Sequence, residues 1–336
     1  MGLKSQNPDL KLILSVGGWT HGTATFSLAA TNTATMQTFA SNALVFINNN
    51  NLDGIDIDWE YPDGADVAKY PEFLEILRST FPSNLMVTAA MGAYPSRRES
   101  SYTDTARICA ALDYVHLMTY DMHGGWESVI GHHSPWVTDG THPNDPNQVM
   151  TVKASVDSWL GAGCPAEKVT IGFGSYGRGF VASGTVDRTY PGTATAAAQY
   201  TGEAGYLAYY EICNFNSIYI DPNIQSAVAV SGSTWVGFET PESAEVKLQY
   251  LVEKGMAGTM WWTLDLDDFN GQFCGDGSYP LIGGVKAKLE EIENGNGSGT
   301  TPPTDPPVTT DDPGTTQQPA TEVGCSDIYL IRRKLC

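Results

Sequence analysis

The chain has 336 residues, 41% of them hydrophobic, and its 18 basic against 38 acidic residues leave a formal net charge of −20. Such a globular, acidic composition repels phosphate backbones and anionic lipid, so neither nucleic acid nor a membrane is an expected partner. No apolar run approaches the ~18 residues a spanning helix needs, and Met1-Gly2-Leu3-Lys4-Ser5 has none of the apolar character of a signal peptide.

In chain order, short β-rich apolar runs alternate with helical spacing. Leu10 to Val16 reads as a strand, followed by Met36, Phe39, Ala43, Phe46 and Ile47 at helical intervals. Gly54 to Trp59 is the second strand, and Tyr70, Phe73, Leu74, Leu77 and Phe81 mark its helix. Four further strands are expected at Met86 to Met91, Tyr114 to Tyr120, Val169 to Phe173 and Gly258 to Leu264, with helices near 103–112, 147–160, 241–254 and 284–293. Thr240 as N-cap, Pro241 at N1 and Gly255 as stop delimit the helix at 241–254. These six βα units predict an α/β fold with a parallel sheet, either open or closed as a barrel. The Tyr-, Gly- and Thr-rich stretch of about 180–238 fits a small α+β insertion after the fifth strand. Residues 300–322 hold eight Thr and six Pro, so 294–322 reads as an extended linker. Residues 323–336, with Cys325 and Cys336, read as the remnant of a C-terminal module.

The segment richest in chemistry is Asp53-Gly54-Ile55-Asp56-Ile57-Asp58-Trp59-Glu60-Tyr61-Pro62. Side chains alternate along a strand, which puts Asp56, Asp58 and Glu60 on one face and Ile55, Ile57 and Trp59 on the other. The apolar face must pack on helices, which turns the acids inward. Carboxylates ~7 Å apart along a strand cannot all ionise cheaply in a confined site, so raised pKa values and shared protons are expected. A calcium loop is excluded because Tyr61 stands where an EF-hand needs glycine. A protonated Glu at the C-terminal end of a buried strand suits a general acid for glycoside cleavage.

This segment resembles the DGxDxDWEYP signature of glycoside hydrolase family 18, the chitinases. Ser15-Val16-Gly17-Gly18-Trp19 is similar to that family's SxGG strand, Met118-Thr119-Tyr120-Asp121 to its MxYD strand and Tyr176-Gly177-Arg178 to its YGR element. Gly258 to Trp262 with Asp265 to Phe269 resembles its last strand and following loop. The likeness extends over about residues 5–285 and is strongest to secreted animal chitinases, which carry a Thr/Pro linker and a chitin-binding module. It implies a TIM (β/α)8-type barrel with an α+β insertion, here lacking its first two strands. The leader is expected to have gone with them, the protein to be secreted and monomeric, and 1–293 to be a partial catalytic domain.

The resemblance also implies roles. Glu60 is the general acid and later base; the substrate's own acetamido oxygen attacks the anomeric carbon, so the chemistry is retaining and substrate-assisted and needs neither metal nor organic cofactor. Asp58 orients the acetamide and shares a proton with Asp56, and Tyr120 hydrogen-bonds the acetamide oxygen. Met118, Asp121, Tyr61, Tyr176 and Arg178 contact the sugar, and Trp19, Trp126 and Trp262 offer platforms to the apolar faces of pyranose rings. Trp59 and Trp261 are expected to pack. The implied substrates are chitin and chitooligosaccharides, cleaved internally at β-1,4 bonds; the alternatives are a glycan-binding lectin without activity and an enzyme for the chitobiose core of N-glycans.

Gly172-Phe173-Gly174-Ser175-Tyr176-Gly177 formally matches a dinucleotide fingerprint, but no helical periodicity follows it, so the match is incidental. His132 and His133 lie in a polar loop and are read as groove wall or hydrogen-bond partners rather than metal ligands. The six cysteines include no CxxC pair, which favours disulfides in an oxidising compartment. By the resemblance, Cys213 and Cys274 form the bridge that ties the insertion to the loop after the last strand. Cys109 and Cys164 lie ahead of adjacent strands at the same end of the barrel; a bridge is open to them, and buried free thiols are the ordinary reading.

Overall fold

The computed structural model describes residues 2–182 and 191–295. The linker, Cys325 and Cys336 lie outside the described residues, as do residues 183–190 of the insertion.

Six parallel strands form the central sheet: β1 (Ile13–Gly17), β2 (Gly54–Asp58), β3 (Met86–Gly92), β4 (Tyr114–Met118), β5 (Val169–Gly174) and, last in the chain, β12 (Gly258–Trp262). They lie side by side in that order, β1-β2-β3-β4-β5-β12, so every crossover leads to the next strand, as in a βα barrel. Among the described residues the sheet is a curled half-barrel whose open edges are β1 and β12.

The helices fall where the spacing placed them, at Thr33–Asn49, Asp66–Thr80, Val152–Gly161, Pro241–Lys254 and Pro280–Glu293. The helix expected near 103–112 is Thr105–Ala111, and one further short helix that the spacing did not indicate, Pro95–Ser101, precedes it. The Thr240 hydroxyl accepts from the Ser243 N–H and Gly255 takes φ 66, so the cap and the stop act as the sequence indicates.

The outward side chains of β2 carry the packing. Ile55, Ile57 and Trp59 are fully buried; the Trp59 ring stacks on Phe26 at 5.1 Å and meets Tyr70 edge-on at 5.5 Å. With the outer face fixed to helices, the alternate side chains of β2 must face the interior of the curl.

The insertion is a second, antiparallel sheet. Its strands are β6 (Tyr176–Val181), β7 (Thr193–Ala194), β8 (Tyr206–Ala208), β9 (Ser217–Asp221), β10 (Ser226–Ser231) and β11 (Thr234–Phe238). The order is β7-β6-β11-β10-β9, with β8 also on β6. It begins at Tyr176, ahead of the boundary expected near Phe180, because one residue after β5 the chain turns straight into β6. Tyr176 and Arg178 therefore belong to this lobe while sitting beside the mouth of the half-barrel.

Among the described residues, two disulfides secure the fold. Cys213–Cys274 joins the lobe to the loop after β12, as the resemblance implied. Cys109 and Cys164 are also bridged, not free thiols: they close the ends of two neighbouring βα crossovers onto one another. A buried Lys247–Glu239 ion pair adds a third tie, since Lys247 Nζ also donates to the Ser134 carbonyl and hydroxyl oxygens at 2.8 and 2.9 Å.

Candidate active site

The C-terminal ends of β1 and β2 are pressed together by glycine. Gly17 adopts φ 121, and a Cβ there would fall 1.9 Å from the Asp58 carbonyl oxygen, so no side chain fits. The Gly18 N–H donates to that same oxygen at 2.8 Å. This contact brings Trp19 beside Glu60, whose acid accepts from the Trp19 backbone N–H.

The three acids stand on the inner face as the alternation requires. Asp56 accepts from the Ser15 hydroxyl at 2.9 Å and from the Thr88 hydroxyl at 2.7 Å, one bond to each oxygen. Asp58 is 6% exposed, and its Oδ1 has no hydrogen-bond partner among the described residues. Burial first, then the charges of Glu60 and Asp56, push its pKa up to about 7. Glu60 lies just past the end of β2, followed by a cis peptide bond to Tyr61. Burial and Asp121 raise its pKa, against hydrogen bonds from Tyr61 and Trp19 and the charge of Arg97. Asp58 is thus poised to hold a proton near neutral pH, and because it interacts with Glu60 its titration belongs to a coupled set rather than to one residue.

A cavity of about 590 Å³ runs along the inner face of the sheet. Asp56, Asp58, Met118, Tyr120, Met260 and Trp262 line it, which fits Met118 as part of its floor. Tyr120 lies beyond the end of β4, with its hydroxyl 3.8 Å from Met260 Sδ; burial holds it fully protonated.

A second cluster joins the segment after β4, with Asp121 and Trp126, to the lobe, with Tyr176, Arg178 and Tyr206. Asp121, at φ 56, receives both forks of Arg178, Nε to Oδ1 and Nη2 to Oδ2, each at 2.7 Å. This bidentate pair holds the Asp121 carboxyl well below its ordinary range despite burial. The guanidinium lies 5.2 Å from the Trp126 ring, 5.5 Å from Tyr176 and 4.7 Å from Tyr206, an aromatic box around one cation. Tyr206 is a residue that sequence reasoning missed: it comes from β8 in register with Arg178, and no local pattern announces that pairing.

Trp19, Trp126 and Trp262 are 75%, 60% and 48% exposed. Trp59 is core, and Trp261 stacks on Phe173 at 5.1 Å while its remaining surface lines the cavity. Tyr61 lies beneath the Arg97 guanidinium at 4.3 Å, beside Glu60. Asp267 and Asp268, from the loop after β12, are anchors: Asp268 accepts the N–H groups of Gln272, Phe273 and Cys274, and Asp267 those of Leu281 and Ile282.

His132 and His133 are buried rather than groove wall. His123, Glu127 and His142 come close enough to suggest a metal site. The hydrogen bonds argue otherwise: the Asn144 N–H donates to His142 Nδ1 at 3.2 Å, which leaves the proton of a neutral ring on Nε2, the atom facing Glu127 at 3.8 Å. His123 Nδ1 is 3.0 Å from the same oxygen, so Glu127 is engaged by the His123 ring while His142 stays beyond hydrogen-bond reach of it.

A curled parallel sheet with a DxDxE row at the C-terminal end of one strand and exposed tryptophans around it is the architecture of a glycan-processing barrel. The comparisons give the family. Residues 1–267 match the glycosyl hydrolases family 18, and the chain belongs to that family. It is 36% identical to chitotriosidase-1 of Mus musculus over 306 residues, covering 85% of this chain and 65% of that protein's own length. An immunomodulatory active chitinase of Trichuris suis superposes with a TM-score of 0.80 at 33% identity, covering 85% of this chain and 82% of that one. Human YKL-39, described as a pseudo-chitinase with retained chitooligosaccharide binding, superposes with a TM-score of 0.80 at 32% identity, covering 86% of this chain and 83% of that one.

Proposed function

We propose that this chain is the catalytic half-barrel of a secreted chitinase that hydrolyses internal β-1,4 bonds of N-acetylglucosamine polymers with retention. The observation that carries the reading is the pair Asp58 and Glu60 on the inner face: burial with the charges of Glu60 and Asp56 pushes the Asp58 pKa up to about 7, and burial with Asp121 raises that of Glu60. An acid must arrive protonated to give its proton to the leaving oxygen, and Glu60, at the mouth of the sheet, is the donor. Asp58 turns the substrate's acetamido group onto the anomeric carbon and stabilises the charge that develops on its nitrogen. Asp56, anchored by Ser15 and Thr88, shares the proton that Asp58 holds. Tyr120 donates to the acetamide oxygen, Asp121 and Arg178 bind the sugar hydroxyls with Tyr61 and Tyr176 beside them, and Trp262 lies under the reacting ring, with Trp19 and Trp126 extending the platform. Secretion is supported by the two disulfides; among the described residues no helix is long and apolar enough to cross a membrane.

The test is hydrolysis of chitohexaose by this chain beside a Glu60→Gln variant, with the anomer of the first product read by proton NMR. Glu60-dependent release of the β-anomer supports the reading; release of the α-anomer removes retention. Oligosaccharide binding without Glu60-dependent cleavage favours the second reading, a lectin of the kind the YKL-39 likeness suggests.

A further inference from the structure

His133 takes no part in the chemistry above, yet it is fully buried directly behind Asp121. Its Nδ1 lies 3.4 Å from the Asp121 backbone nitrogen, within hydrogen-bond reach of that N–H, and 3.6 Å from Asp121 Oδ1. The other ring nitrogen, Nε2, has no hydrogen-bond partner among the described residues, so the ring's polar contact with its surroundings is spent on Asp121. The ring is held in place by Tyr176, 5.0 Å away between centroids, and by the bare backbone at Gly174, where a Cβ would come 2.9 Å from His133 Cε1.

Asp121 needs such a support. It sits at φ 56, a left-handed conformation that aspartate tolerates and does not prefer. Its carboxylate must also stay in one plane for both forks of Arg178 to reach it. Burial lowers the His133 pKa, outweighing the pull of Asp121 and Glu239, and Arg178 adds to the lowering. A neutral ring can either accept the Asp121 N–H or donate to its carboxylate, and both contacts restrain the same residue.

We propose that His133 is a positioning residue: it fixes the backbone and carboxylate of Asp121, and through them the Arg178 guanidinium, in the orientation that meets the sugar. The proposal rests on the reading of Asp121 and Arg178 as substrate contacts.

Two variants and one spectrum test it in the full chain. His133→Leu fills much of the space and offers no polar atom; His133→Asn places an acceptor and a donor toward Asp121. With chitohexaose, His133→Leu is expected to raise KM about tenfold with kcat within about twofold, the size of one lost hydrogen bond to a charged group. His133→Asn is expected to restore KM to within about threefold. Equal loss in both variants, or no loss in either, overturns the proposal. The third arm needs no substrate: the His133 imidazole 15N resonances are recorded in the otherwise unchanged chain and in Asp121→Asn, whose amide suits φ 56. A change in those resonances supports the contact, and identical spectra sink it even if His133→Leu fails to fold. Should the chain not cleave chitohexaose at all, the catalytic reading fails while the NMR arm still decides whether His133 holds Asp121.

Discussion

Asp58, buried in the cavity wall, and Asp121, held by Arg178 with a third of its side chain exposed, are two aspartates of one site whose environments drive them in opposite directions. Asp58 has Glu60 and Asp56 as neighbours, an Oδ1 without a hydrogen bond, and a pKa pushed up to about 7. Asp121 has Arg178 in bidentate contact and His133 behind it, and its carboxyl is held well below the ordinary range. Burial is common to both; the partner decides the sign. The site thus sets a proton-holding Asp58 on the parallel sheet against a charged clamp that ties the segment after β4 to the antiparallel lobe.

The largest effect should come from the row. Glu60→Gln keeps the shape, removes the transferable proton, and is expected to lower turnover by about 10² to 10⁴. It also removes one of the charges that raise the Asp58 pKa, so the Asp58 carboxyl should titrate nearer the ordinary aspartate range. Carbon-13 NMR of that carboxyl in both proteins checks this; an unmoved titration would mean that burial and the Asp56 charge set it without Glu60.

Asp58 next sharpens the contrast through stability. Its folded pKa of about 7 lies above the ordinary aspartate value of about 3.8, so the folded state binds the proton more tightly than the unfolded one. The contribution is fully present below about pH 4 and is lost as pH rises through 7, a change of roughly 4 kcal/mol at 1.36 kcal/mol per pKa unit. Urea unfolding from pH 4 to 8 should show this decline in the wild type, and Asp58→Asn should flatten it. Asp121 runs the other way: its lowered pKa stabilises above the ordinary carboxylate range and is lost as pH falls through its folded value.

What the sequence made legible follows the same division. The row is local: alternation in Asp53 to Pro62 placed Asp56, Asp58 and Glu60 on one face, and the burial of Ile55, Ile57 and Trp59 explains why they face inward. The strands and most helices were legible for the same reason, since periodicity is a property of contiguous residues. The clamp is not local. Arg178 meets Asp121 across 57 positions, Tyr206 joins it only through the β6–β8 pairing, and His133 passes for a polar loop residue until the chain folds over it. The short helix Pro95–Ser101 was not legible because its own residues are polar and without apolar periodicity; the residue that ends it, Tyr102, is buried and packs at 5.2 Å on Trp159, far along the chain. The Cys109–Cys164 bridge likewise depends on how two crossovers end.

Arg178→Gln should break the clamp. It leaves Asp121 without its counter-ion, so the Asp121 pKa should rise toward that of Asp58 and the difference between the two should shrink. The cost at pH 7 is expected at about 2 kcal/mol, below that of a fully enclosed pair because the Asp121 side chain keeps 34% of its exposure. The deficit should narrow at low pH, where Asp121 in the variant can take up a proton. A deficit independent of pH would assign the loss to packing of the guanidinium among Trp126, Tyr176 and Tyr206 instead.

The smallest effect tests whether platform and proton chemistry are separable. Trp262 is 48% exposed and is not among the charged or hydrogen-bonding groups that shift Asp58. Trp262→Ala should therefore weaken chitooligosaccharide binding about tenfold, the value of one aromatic stacking surface, and leave the Asp58 titration where it was. Calorimetry with a Glu60→Gln background, which prevents turnover, isolates the binding term. If the Asp58 titration moves with Trp262, the indole is part of the low-dielectric wall that keeps the row protonated, and the sugar that covers it on binding would raise those pKa values further, making substrate itself a contributor to the acid it needs.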